Sequence, residues 1–179
     1  MKLLKLAILA QLLLTATLAQ AQKNSAPVER LAPVYRHTIL VTDLERSLTL
    51  YRDVLGMEVS KINQSGEDSY SAVFFNMPRG SQKRFAYLSG EDGRENILGL
   101  AEVPGLELPR NNGIRTAAWV QTVADVEGVM EQVQAMGLEL VEPIEFVSRE
   151  SGTPGLEAGV IDFDGHLIMF YGLKRPEKH

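Results

Sequence analysis

"VTDLERSLTLYRDVLGMEV" (Val41–Val59) and "VADVEGVMEQVQAMGLEL" (Val123–Leu140) are two versions of one construction, and pairing them decides the fold. Val41, Asp43 and Glu45 match Val123, Asp125 and Glu127 at identical spacing, and Gly56 matches Gly137 with one residue deleted between. In the first copy, Thr42 followed by Glu45 fits a capping box, and Leu44, Leu48, Tyr51 and Leu55 fall on one face of a helix. Gly56 suits a left-handed helix end, because it has no Cβ to clash there. Each copy therefore reads strand, capped helix, glycine, strand.

Strand-like runs follow both copies: "SYSAVFFNM" (69–77), "RFAYLS" (84–89) and "NILGLAEV" (96–103) after the first, "GLEAGVIDF" (155–163) and "HLIMFYG" (166–172) after the second. Asp164-Gly165 between the last two is a hairpin-turn signal. The first copy offers two candidates for its closing strand, "RFAYLS" and "NILGLAEV". The step of 82 residues from Val41 to Val123 is too long for a solenoid repeat. It suits an α+β domain of two paired modules, each burying one sheet face under a helix and leaving the other curved around a cleft.

The remainder of the 179 residues frames this domain. Lys2 and Lys5, the mostly apolar run Leu6–Leu18 and the small-x-small Ala19-Gln20-Ala21 form the pattern of a secretory signal peptide over residues 1–21. The run falls short of the roughly 20 residues of a membrane-spanning helix. The expectation is cleavage near Ala21 and export, to a periplasmic or extracellular location, with no membrane association after cleavage. Residues 22–33 read as a flexible lead, 34–173 as a single domain (module one about 34–104, module two about 114–173) and 174–179 as a tail. The chain contains no cysteine, which removes disulfides, thiolate metal sites and lipid attachment through a thiol. Loss of Lys2 and Lys5 with the leader would lower the formal charge from -5 to -7. Such a balance disfavours nucleic acid as a partner.

The stretch "HTILVTDLERSLTLYRDVLGMEV", the repeated "VADVE…MGLEL" and the closing "DFDGHLIMFYG" resemble the vicinal oxygen chelate superfamily, which includes glyoxalase I, extradiol dioxygenases and the fosfomycin and bleomycin resistance proteins. The resemblance covers about Val34 to Gly172. It implies two βαβββ modules forming a half-open barrel around a cleft, often within a homodimer. It also implies, for metal-dependent members, one histidine or glutamate from each of four strands holding a divalent ion.

Carried over position by position, those ligand sites are filled differently here. The first-strand histidine of metal-binding members lies seven residues before the helix-start aspartate. Seven before Asp43 is Arg36, whereas His37 is six before it, and along a strand one residue of slip reverses the direction of the side chain. Arg36, Thr38 and Leu40 are expected to face the cleft, and His37, Ile39 and Val41 the helices. Seven before Asp125 is Ala118, and Met169 takes the place of glutamate in the closing "DGxxxEL" pattern. The fourth position is Tyr87 or Gly99, according to which strand closes module one. A guanidinium, a methyl group and a thioether are poor ligands for hard or borderline ions, so no cofactor is expected, with a divalent metal as the alternative.

The sequence then points to a small organic molecule, anionic if Arg36 meets it, in an apolar cleft lined by Arg36, Thr38, Tyr87, Gly99, Ala118, Met169 and Tyr171. Arg36 needs an anionic partner to offset desolvation, and an internal glutamate would serve as well as a ligand. Glu102 has the opposite parity to Gly99 and is not assigned as a base. His37 is either a core histidine or, in the alternative reading, a metal ligand after a register shift or the general base of a lyase, isomerase or dioxygenase. His166 follows a tight turn and is expected at the surface. "GEDGRENILG" (90–99) and "SRESGTPG" (148–155) read as loops at the cleft rim or on the plain surface. A further alternative is an interaction module with no small ligand.

Overall fold

The structure, a computed structural model, describes residues 34–110 and 112–174. The leader and lead expected over 1–33 lie outside the described residues, as do positions 175–179 of the tail. The first module comprises β1 (His37–Val41), α1 (Leu44–Leu48) continued by a π-helical stretch Thr49–Val54, β2 (Glu58–Gln64), a short α2 (Ser71–Phe74), β3 (Arg84–Ser89) and β4 (Leu98–Glu102). The second comprises β5 (Trp119–Thr122), α3 (Val126–Ala135), β6 (Glu139–Val147), β7 (Pro154–Ile161) and β8 (Leu167–Leu173).

The repeat becomes two sheets of identical topology, β1-β4-β3-β2 and β5-β8-β7-β6. In each, the first and last strands pair in parallel and the other pairs are antiparallel. Gly56 and Gly137 both take φ of 72°, the left-handed turn that reverses the chain from helix into strand. Leu44, Leu48, Tyr51 and Leu55 are buried, as the periodicity requires. They share one core with Val126, Val129, Val133, Ile168 and Phe170 of the second module.

The local structure departs from the sequence reading in three places. "SYSAVFFNM" is not a strand. β2 pairs directly with β3 from Gln64 opposite Arg84 onward, so this segment falls in the connection between the two strands, beyond the end of their ladder. It forms a single helical turn, with Ala72 buried while Val73 and Phe74 stand 68% and 81% exposed. The α1 cap is Asp43, whose carboxylate accepts from Arg46 N at 3.0 Å, and not Thr42. Thr42 is drawn into the second module instead, its hydroxyl donating to Asp164. After Leu48 the helix widens, with Leu55 N donating to Leu50 O, so the adjacent Leu50 and Tyr51 both turn inward.

The wide turn lets Tyr51 reach the β7–β8 hairpin, where its hydroxyl donates to Asp162 at 2.8 Å. Burial and the Asp162 charge hold this phenol well above its ordinary pKa, so it stays a donor. The other Asp162 oxygen accepts from the backbone of Asp164 and His166 and shapes the turn in which Gly165 has φ of 95°. Asp164 accepts from Thr42 and Arg46, and a His166 ring nitrogen meets Leu40 O at 2.7 Å. This hairpin therefore latches the second module to the β1–α1 junction of the first. Within module one, Glu102 is buried, receives a two-pronged contact from Arg84 (2.6 and 2.7 Å) and accepts from Leu44 N. Its role is structural.

Candidate functional site: an arginine on an aromatic platform

The closing strand of module one is β4, and its register aligns the expected residues. Thr38 lies opposite Gly99, Gly99 opposite Tyr87 and Tyr87 opposite Lys61, one row across four strands. Ile39 and Val41 are buried under the helices. By alternation Arg36, Thr38 and Leu40 belong to the open face, as counting back from Asp43 implied.

Arg36 does not extend into free space. Its guanidinium carbon lies 4.7 Å from the centre of the Tyr87 ring, 5.3 Å from Phe85 and 5.2 Å from Tyr35. The Phe85 and Tyr87 rings adjoin at 4.7 Å, tilted by 51°. These are cation–π distances, and they hold the guanidinium against the rings. Gly99 makes the arrangement fit: a Cβ there would stand 2.4 Å from Phe85 Cζ and 3.1 Å from Arg36 Cδ. The space above this glycine is thus filled by the Phe85 ring and the arginine stem. Of the two partners the sequence offers Arg36, the internal glutamate is not used: among the described residues Arg36 has neither an ion pair nor a hydrogen bond. Its N–H donors remain available.

Three platform residues, Tyr35, Phe85 and Lys61, escaped the sequence reading. The signal for Phe85 was present, since "RFAYLS" places Phe85 and Tyr87 two apart and so on one face. Beside Tyr87 lies a cavity of about 300 Å³ lined by Ser60, Lys61, Asn63, Tyr87 and Asn96.

The other expected residues sit in the second module. Ala118 lines a cavity of about 140 Å³ with His37, Ile39, Tyr51, Trp119 and His166. Met169, opposite Val120 and Gly159, lies on the open face of the second sheet. Tyr171 shares that face, edge-on to Phe146 at 6.2 Å, and lines the largest of these cavities, about 710 Å³, with Trp119 to Asp125 and Ile97. His37 occupies the start of β1, exposed at the module junction, with its ring stacked 6.0 Å from Trp119. It is thus not the core histidine the sequence suggested; partial desolvation of the ring at the junction first, then repulsion from His166, lowers its pKa below 6.5. His166 is drawn into the junction by Leu40 and is not a free surface side chain.

The four positions at which the resemblance puts metal ligands carry a guanidinium held on aromatic rings, a glycine, a methyl group and a thioether. That set does not fit a divalent cation. Among the described residues no three His, Cys, Asp or Glu side chains are grouped to hold one.

With this geometry in place, a family model described as Glyoxalase/Bleomycin resistance protein/Dioxygenase superfamily matches residues 34–170. The chain belongs to this superfamily. A curated protein it resembles, mitochondrial methylmalonyl-CoA epimerase of Mus musculus, is 38% identical over 55 residues, a match spanning 31% of each chain. This chain thus covers about a third of that relative's length. Among solved structures, a glyoxalase family protein from Bacillus cereus superimposes with a TM-score of 0.61 at 17% identity, covering 84% of this chain and all of that one. An antibiotic binding protein from Streptomyces sp. CB03234 gives 0.51 at 16% identity, covering 82% and 99%. At such identities the superfamily likeness speaks for the fold, and the side chains must speak for the chemistry.

Proposed function

We propose that this superfamily member is exported and binds a small organic molecule on the open sheet faces, without the divalent ion of its metal-dependent relatives. Binding is its main activity. The observation that carries this reading is Arg36, fixed on the Phe85–Tyr87 platform at the position of a metal ligand, with its N–H donors unpaired among the described residues. A planar cation with free donors on an apolar floor recognises a carboxylate in two-pronged fashion. The solved antibiotic binding protein of the same fold supports a binding role on this scaffold. Thr38 shares the sheet face of Arg36, and Gly99 gives the Phe85 ring and the arginine stem their room. Ala118, Met169 and Tyr171 belong to the second module and stand apart from the platform; a homodimer would bring further walls to it.

Thermal unfolding with and without benzoate tests the reading. Benzoate should raise the melting temperature of the protein, and Arg36→Met should abolish the rise. An equal rise in Arg36→Met would overturn the placement of the site. One observation favours a second reading, proton transfer: His37 has a lowered pKa and lines a cavity with His166. His37→Ala that keeps benzoate binding but loses a detected turnover would support it.

A further inference from the structure

We infer that the module-one platform takes a planar molecule carrying two anionic groups, one on Arg36 and one beside Lys61. This rests on the ligand-binding reading above and names its ligand class. Lys61 is the cross-strand neighbour of Tyr87, so the ring that Arg36 covers from the β1 side has a second cation on the β2 side. Beside Tyr87 the 300 Å³ cavity adds Asn63 and Asn96, whose side-chain amides can donate to an oxyanion, and Ser60, whose hydroxyl is paired with that of Ser89. Its volume is at the lower end for small-molecule sites. Glu58, opposite Ser89 at the start of β2, is on the same side by register, and Glu95 adjoins Asn96 in the chain.

The formal charge of the whole chain is -5, yet the Phe85–Tyr87 floor is flanked by two cations. Neither makes an ion pair among the described residues, and an acidic protein offers carboxylates freely. A flat, conjugated body would lie against the tilted rings, since aromatic faces stack in offset or edge-on fashion. Its two acid groups would then diverge toward Arg36 and Lys61. A flexible aliphatic diacid gains the charges without the stacking, and a neutral aromatic gains the stacking without the charges.

Calorimetric titration of the protein with isophthalate, benzoate and benzyl alcohol separates these terms. Isophthalate should bind about three- to tenfold more tightly than benzoate, the range expected when a second, more exposed charge pair forms. Benzyl alcohol should be weaker than either. Lys61→Ala should bring the isophthalate-to-benzoate ratio close to one, and Arg36→Met, which keeps the packing stem, should weaken both acids. Isophthalate no tighter than benzoate, or a ratio that survives Lys61→Ala, overturns the inference. If benzoate still binds through Arg36 in that case, the proposed function stands. If none of the three binds and the protein takes up a divalent ion instead, both fall.

Discussion

Gly99→Ala is the sharpest probe of the platform, because two effects of opposite sign compete at one methyl group. Gly99 takes no left-handed conformation, so alanine is compatible with its strand backbone. Reduced freedom of the unfolded chain alone would stabilise by about 0.4–1 kcal/mol. Against this, the new Cβ would stand 2.4 Å from Phe85 Cζ and 2.8 Å from Cε1, well inside contact distance. Phe85 Cζ is the tip of its side chain, so the strain is relieved by swinging the ring out. That movement gives up its stacking with Tyr87 and its cation–π contact with Arg36, each worth about 0.5–1.5 kcal/mol. The clash should win, with a net loss of about 1 kcal/mol, within the usual overpacking range.

Urea unfolding followed by far-ultraviolet circular dichroism measures this loss. Trp119, the single tryptophan, reports on the second module by fluorescence. Because both modules share one core, the two transitions should coincide. In a Phe85→Ala background the same Gly99→Ala change should become neutral or stabilising, a coupling of about 1–2 kcal/mol between neighbours. If Gly99→Ala is neutral or stabilising in the wild type, or costs the same in both backgrounds, the ring does not lie over this glycine and the reasoning fails.

Three further outcomes follow from the same geometry. Tyr51→Phe should destabilise by about 1–3 kcal/mol in urea, because Asp162 is buried and loses a donor; a cost near zero would deny the latch. Glu102→Gln should cost about 2 kcal/mol, less than the 3–5 typical of a fully buried pair, since Arg84 keeps Glu45 and some water. The Arg84 contact holds the Glu102 pKa below 4.5. Its contribution is therefore full above pH 4.5 and lost as pH falls through the folded value, so the wild-type advantage over Glu102→Gln should shrink on acidification. For His37 the sign is the same, in a higher pH window: with a folded pKa below 6.5, stability is full above 6.5 and declines as pH falls from there to the folded value. Trp119 fluorescence should titrate with a midpoint below 6.5, and the step should vanish in His37→Gln.

The fold was legible because its determinants are local and occur twice. The Asp-x-Glu helix starts and the Gly56 and Gly137 turns need only nearby residues, and alternation from Asp43 sends Arg36 and His37 to opposite sides. The errors have equally physical roots. "SYSAVFFNM" looks like a strand by composition, and only the long-range pairing of Gln64 with Arg84 shows that it lies in the connection between β2 and β3. Thr42 looks like a cap because its contact with Asp164, 122 residues away in sequence, leaves no local trace. Similarly, nothing near Gly99 in the chain reveals that a ring from β3 crosses above it, so the glycine reads as empty space. Lys61 reaches the platform through a register shift between Val59 and Lys61, which no alternating pattern encodes.

An arginine on an aromatic floor stands where the resemblance puts a metal ligand, and the proposed binding role does without a divalent ion. Equilibrium dialysis of the protein against manganese, zinc and nickel ions, with bound metal counted per chain, tests it most directly. No stoichiometric uptake is expected at micromolar free ion, in the wild type and in Arg36→Met alike. One equivalent bound at micromolar affinity in the wild type would contradict it.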